Sequence, residues 1–168
     1  MGDGTLRPDT GEVRMDVGTV IIPYARINEA TIDALRAWHP TMFYVGGDRN
    51  DYLRYFKARW LDMKVFVNVE HDVIPTNAQV QELMRCQEEW CCFTEYAGGP
   101  PTLSLARFRP GFIWSNHDLW NSLDMKTARQ PTWTLLDSWL VAHANRPPHI
   151  HTSSFVVNTR PWGTLHEV

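Results

Sequence analysis

The sequence is poor in cysteine. Its three cysteines, Cys86, Cys91 and Cys92, fall within seven positions in CQEEWCC. An odd number so closely spaced makes no disulfide framework and points to a reducing compartment. They lack CxxC spacing, and in an extended segment Cys91 and Cys92 would face opposite ways. A common four-ligand zinc centre is therefore not expected, and buried small apolar side chains are. Long apolar runs are missing too, none approaching the 18 or more residues of a spanning helix. The opening MGDGTLRPDTGEVRMD does not follow the basic-then-apolar order of a secretion signal, so a cytoplasmic protein is expected. Neither sign of charge dominates: 16 Lys and Arg stand against 19 Asp and Glu, with no basic block. That disfavours a nucleic-acid binder working through its overall field. Absent as well are a GxSxG elbow, a GxGxxG turn and a GxxxxGK[ST] loop, which leaves a Ser-His-Asp relay and the usual phosphate-cradling loops unsupported.

What is present fits one folded domain. A chain of 168 residues, 43% hydrophobic and 21% charged, is long enough for an open α/β sheet with helices on both faces and too short for two such domains. Residues 1–16, rich in Gly, Asp, Pro and Thr, read as a flexible segment or edge hairpin, and residues 17–168 as a single compact domain. GTVIIPY reads as a buried strand stopped by Pro23. Asn28 is placed to cap a helix through ATIDALRAW, with Ile32, Leu35 and Trp38 on one face, ended by His39 and Pro40. TMFYVGG is a second strand, DYLRYFKARWL a helix, and KVFVNVE a third strand. A helix is expected from about Thr76 to Trp90, its inner face carrying Val80, Leu83, Met84 and Gln87. Three strand-turn-helix units in succession predict a parallel sheet with right-handed crossovers. Further on, CCFTEY and TLSLARF read as strands, SNHDLWNSL and TWTLLDSWLVAHA as helices, and RPPHIHTSSFVVNT as a loop into a last extended segment.

The sharpest chemical signal is VNVEHDVIP, where Glu70, His71 and Asp72 emerge from an apolar strand and Pro75 closes the turn. Ligands of open α/β sheets bind beyond the carboxyl ends of the strands, where this acidic turn projects. Two carboxylates one residue apart can flank a divalent cation, or one can bind it while the other holds a bound water or a substrate hydroxyl. A second signal is RPPHIHT: in an extended stretch His149 and His151 point the same way. Imidazole and carboxylate together suit manganese better than calcium, and suit zinc as well. The eight tryptophans have mostly a packing explanation, Trp38, Trp60, Trp90, Trp133 and Trp139 falling on amphipathic stretches. Trp114 and Trp120 bracket SNHDL and are better placed to wall a flat ligand such as a sugar.

IIPYARINEAT, FYVGGD, VNVEHDVIP and the late HIH together resemble a small GT-A glycosyltransferase, close to family 2-like proteins, over most of residues 18–155. The resemblance implies an α/β, Rossmann-like, predominantly parallel sheet flanked by helices, and sugar transfer from a nucleotide diphosphate sugar of the UDP or GDP type. It implies Mn2+, or Mg2+, held at a DxD-like turn. Pro23, Tyr24 and Arg26 then cradle the nucleotide and Asp48 reads the base. Asp72 becomes the direct metal ligand, Glu70 serves the ribose or a metal-bound water, and His149 or His151 completes the metal site. Here Glu70 replaces the first aspartate of the family pattern, extending the carboxylate's reach by one methylene.

In an inverting enzyme of this kind Asp118, or Asp137, would take the proton from an unidentified acceptor hydroxyl. The chain is short for the class, which leaves room for a homo-oligomer or a partner subunit to complete the acceptor platform. The rival readings are a noncatalytic nucleotide-sugar or carbohydrate-binding module, a metal-dependent nucleotidyltransferase and a metal-dependent hydrolase.

Overall fold

β-Branched and apolar residues fill Thr19–Tyr24, which forms the first strand, β1. The computed structural model describes residues 18–47, 51–62, 64–109, 141 and 147–159. The expected N-terminal segment, the helix at SNHDLWNSL, the helix at TWTLLDSWLVAHA apart from Val141, and Asp48, Trp114, Trp120, Trp133, Trp139, Asp118 and Asp137 lie outside them.

Helix α1 (Glu29–Leu35) starts at Asn28, whose side chain accepts a hydrogen bond from the Ala30 N–H, and runs into a 3-10 turn at Arg36–Trp38. His39 closes that turn in the left-handed region at φ 48°, before Pro40 begins the approach to β2 (Thr41–Tyr44). Helix α2 (Asp51–Leu61) coincides with DYLRYFKARWL, and β3 (Phe66–Val69) follows it. Helix α3 (Asn77–Arg85) opens with a capping box: Thr76 Oγ1 accepts from the Gln79 N–H, and Gln79 Oε1 accepts from the Thr76 N–H. The remaining strands are β4 (Trp90–Cys92), β5 (Leu105–Phe108) and β6 (His149–Ile150).

The strands form one sheet in the order β2-β1-β3-β5-β4-β6. β1 pairs in parallel with β2 and β3, β5 is antiparallel to both β3 and β4, and β6 is parallel to β4. The result is a mixed sheet in which only β5 runs against the rest, consistent with a Rossmann-like or GT-A-like architecture. Alternation along the strands builds a core on each face. Ile21, Phe66, Cys92, Ala106 and Phe108 pack with Tyr52, Tyr55 and Phe56 of α2. On the other face Val20, Ile22, Val67, Val69, Cys91 and Leu105 pack with Leu35 of α1 and with Val80 and Leu83 of α3. Cys91 and Cys92 therefore face opposite ways, and all three cysteines are buried.

Within the first core sits a polar network. Asn68 accepts from the Tyr55 hydroxyl at 3.0 Å and donates to the Tyr52 oxygen at 2.9 Å and the Leu103 carbonyl at 2.7 Å. It fixes α2 over the centre of the sheet, and burial pushes the Tyr55 phenol far above its ordinary pKa.

Three expectations are corrected. Pro23 does not stop β1. It pairs with Phe43 of β2 and lies past the last β1–β3 pair, Ile21–Asn68, where the strand has a partner on one side only and a missing donor costs little. Helix α3 ends at Arg85, because Cys86 turns to extended backbone at φ −61°, ψ 130°. Trp90 thus belongs to β4, buried and stacked on Phe108 at 5.8 Å, and Gln87 is exposed beyond the helix while Gln79 takes the buried polar position. No helix among the described residues is long and apolar enough to cross a membrane.

Candidate functional site

The parallel strands β2, β1 and β3 end together, and the residues beyond them form the first candidate site. At the end of β1, Pro23 is buried in the strand, Tyr24 is half-buried and Arg26 is exposed. The Tyr24 ring lies edge-on to Tyr44 at the end of β2, centroids 5.6 Å apart, and the Tyr24 carbonyl accepts from the Val45 N–H.

β3 delivers the Glu70–Asp72 turn, which three other segments brace. The Glu70 N–H donates to the Ser104 carbonyl at 2.9 Å, and the Ser104 hydroxyl donates back to Glu70 Oε2 at 3.1 Å. The Thr31 hydroxyl of α1 reaches the His71 carbonyl at 2.8 Å. Both the N–H and the hydroxyl of Thr159 donate to the Asp72 carbonyl, at 2.8 and 2.9 Å, while Val73 bridges to Asn158. The turn is thus held mostly through its backbone, with one side-chain bond at Glu70, and the residues Glu70 and Asp72 are only 7% and 4% exposed. Oxygen donors of this kind fit a hard divalent cation such as manganese or magnesium.

The late histidines are placed differently. Residues 157–159 reach the acidic turn, but His149 lies in β6 on the row Val67–Arg107–Cys91–His149. Three strand spacings, about 14 Å, separate it from β3. His149 is exposed and its ring is edge-on to His151, centroids 4.7 Å apart. His151 itself is buried, stacked against Phe93, with Nδ1 at 2.8 Å from Glu82 Oε1 of α3. The sheet therefore brings the two rings together as the spacing predicted, but beside α3 rather than beside Asp72.

That neighbourhood forms a second candidate site. Cys86 just past α3, Cys91 in β4 and His151 after β6 each offer a ligand atom, all within 4.8 Å of one another, and all three residues are buried. Hydrogen bonding with Cys91 draws the Cys86 thiol well below its ordinary pKa against the opposing effect of burial. The same contact and burial push Cys91 up. Burial opposes charge on His151, but the neighbouring Cys86 sulfur and Glu82 carboxylate outweigh it and raise its pKa. Hydrogen bonding from Ser153, aided by His151, holds Glu82 below its usual range. Arg107, almost fully buried and paired in register with Cys91, donates to the Glu88 carbonyl at 3.3 Å. Sequence reasoning missed this grouping because it depends on the β4–β6 register. The one local signal was the spacing of Glu82 and Cys86, which stand four apart at the end of a helix.

The sequence matches no protein-family model and no curated protein. Among solved structures, the crystal structure of a glycosyltransferase involved in the glycosylation of the major capsid of PBCV-1 aligns with 79% of this chain and 81% of its own. The identity is 12% and the TM-score 0.42, a distant and partial similarity of fold.

Proposed function

We propose that the chain is a divalent-metal-dependent glycosyltransferase that moves a sugar from a UDP- or GDP-type nucleotide sugar to a hydroxyl acceptor. The observation that carries this reading is the Glu70–Asp72 turn: two acidic residues withdrawn from water at the carboxyl end of β3, braced by hydrogen bonds from α1, Ser104 and Thr159. Carboxylates are costly to hold so far from solvent, and positions past parallel strand ends are where this kind of sheet receives ligands.

In this reading Asp72 is the direct ligand of Mn2+ or Mg2+, and Glu70 holds a metal-bound water or the ribose. A cation held by these residues would supply positive charge to the diphosphate and to the leaving nucleotide. Pro23, Tyr24 and Arg26 line the nucleotide's side of the strand ends, and Asp48 reads the base. Asp118, or Asp137, takes the proton from the acceptor hydroxyl. Neither His149 nor His151 is needed at this cation.

Calorimetric titration with UDP and GDP, with and without manganese, followed by transfer assays over a panel of sugar donors and hydroxyl acceptors, tests the reading. Nucleotide binding that strengthens with manganese, together with transfer exceeding simple hydrolysis, is expected. Equal nucleotide affinity in the presence and absence of divalent ions would remove the metal bridge. Metal-coupled binding with no turnover would leave a noncatalytic nucleotide-sugar-binding module in place of the enzyme.

A further inference from the structure

Two thiols and an imidazole converge on the face of the sheet that carries α1 and α3, away from the acidic turn. Cys86 leaves the end of α3, Cys91 lies in β4, and His151 follows β6, so three separate segments meet in one buried spot. With His151 Nδ1 held by Glu82, Nε2 is the nitrogen left over. It is buried, in a residue 7% exposed, and makes no hydrogen bond of ordinary length among the described residues, although the Cys86 thiol lies beside the ring and interacts with it. A buried polar atom left in that state is costly, and a metal ion would satisfy it.

We propose that Cys86, Cys91 and His151 bind one zinc(II) ion that ties the end of α3 to β4 and to the chain leaving β6. The donor set selects the metal: thiolate sulfur and imidazole nitrogen suit zinc, whereas the oxygen donors at the end of β3 suit manganese or magnesium. In tetrahedral zinc, sulfur at about 2.3 Å and nitrogen at about 2.0 Å place neighbouring ligand atoms roughly 3.5 to 3.8 Å apart. The donor atoms already lie within 4.8 Å of one another, so closing on the ion takes side-chain shifts of about an ångström.

Glu82 supplies what metal-bound histidines ordinarily have, a carboxylate on the other ring nitrogen that fixes the ring and raises its basicity. Ser153 in turn holds the second Glu82 oxygen. Binding displaces the two thiol protons to solvent, and the guanidinium of Arg107 next to Cys91 favours the resulting thiolates. Three buried side chains from three segments fill three of the four tetrahedral positions and a water takes the fourth, so the ion clips the segments together, and its existence does not depend on sugar transfer.

The test uses the full chain. Elemental analysis of protein produced with added zinc and then dialysed should give one zinc per chain. Thermal unfolding should shift upward in proportion to the logarithm of free zinc, as linkage requires, and a chelator should reverse the shift. Replacing zinc by cobalt(II) in the wild-type chain should produce thiolate-to-cobalt charge-transfer absorption in the near ultraviolet, a readout that needs no variant to fold. Cys86→Ser and His151→Ala should lose that absorption and the zinc-dependent shift, and Cys92→Ala, on the opposite face of the sheet, should keep both. Substoichiometric metal with an unshifted unfolding midpoint, cobalt binding without thiolate absorption, or a disulfide between Cys86 and Cys91 in protein purified from a reducing cytoplasm without added oxidant would each overturn the site.

Discussion

At the scale of single residues, two of the buried polar positions of β3 and its turn, Asn68 and Asp72, have different purposes. Asn68 is satisfied on every side that matters: two tyrosine hydroxyls and a backbone carbonyl surround its amide. Tyr55→Phe should leave Asn68 Oδ1 without that donor at full burial and cost about 1 to 3 kcal/mol in urea unfolding; a loss within error would show that the network relaxes. Asp72 is held by its backbone while its carboxylate belongs to the proposed cation site. Asp72→Asn keeps the shape and removes the charge, so manganese affinity and metal-coupled nucleotide binding should fall at least about tenfold in a protein that still melts cooperatively. Unchanged manganese titration in that variant would discard Asp72 as a ligand. If Asp118 is the base, Asp118→Asn should preserve nucleotide and manganese binding and slow single-turnover transfer by roughly 10²-fold or more. Near-native chemistry in the folded variant would eliminate it, and a product with retained anomeric configuration would reject simple inversion.

Secondary-structure elements show where the sequence was readable. Helix α2 could be bounded to the residue because Tyr52 and Phe56 repeat at helical spacing inside a run of good helix formers, and α1 and α3 announce their starts through Asn28 and Thr76. The end of α3 was not readable, since Cys86, Gln87 and Glu88 carry no Gly or Pro to mark the stop. The direction of β5 was hidden for a different reason: all four of its residues are buried, the pattern expected of a parallel strand, so LARF gives no sign that β5 runs antiparallel to its neighbours. The acidic turn was legible as chemistry because it breaks an apolar run, whereas the cysteine–histidine group needs a strand register to exist at all. Gln79 illustrates how much one position can couple. It completes the capping box and also donates to the Ser154 hydroxyl and the Phe155 carbonyl, both at 3.0 Å. Thr76→Ala should cost about 1 kcal/mol, the usual worth of an N-cap. Gln79→Ala should cost more than Thr76→Ala in the same denaturant series, because it also frees the 154–155 segment; equal losses would mean that those two contacts contribute nothing.

For the molecule as a whole, the sheet order separates two kinds of work. β2, β1 and β3 end at the carboxylate turn, while β4 and β6 carry the sulfur and imidazole donors, so the proposed manganese and zinc sites use different halves of one sheet. UDP or GDP with manganese should therefore raise the unfolding temperature more than either alone, and zinc should add its own increment independently. Scanning melts with each combination would reveal it, and a zinc effect that vanishes when manganese and nucleotide are present would contradict separate sites. The same order also sets a timetable for synthesis. β4 finds β5 soon after it is made, but its other neighbour, β6, begins 57 residues after Cys92. At ribosomal rates of about 5 to 20 residues per second, that flank waits roughly 3 to 11 s for its partner. During this interval Cys91 and Cys92 present the backbone donors and acceptors of that flank to other nascent chains nearby. The pace of translation across residues 93–148 thus becomes a determinant of how much of this protein reaches the folded state instead of joining a neighbour.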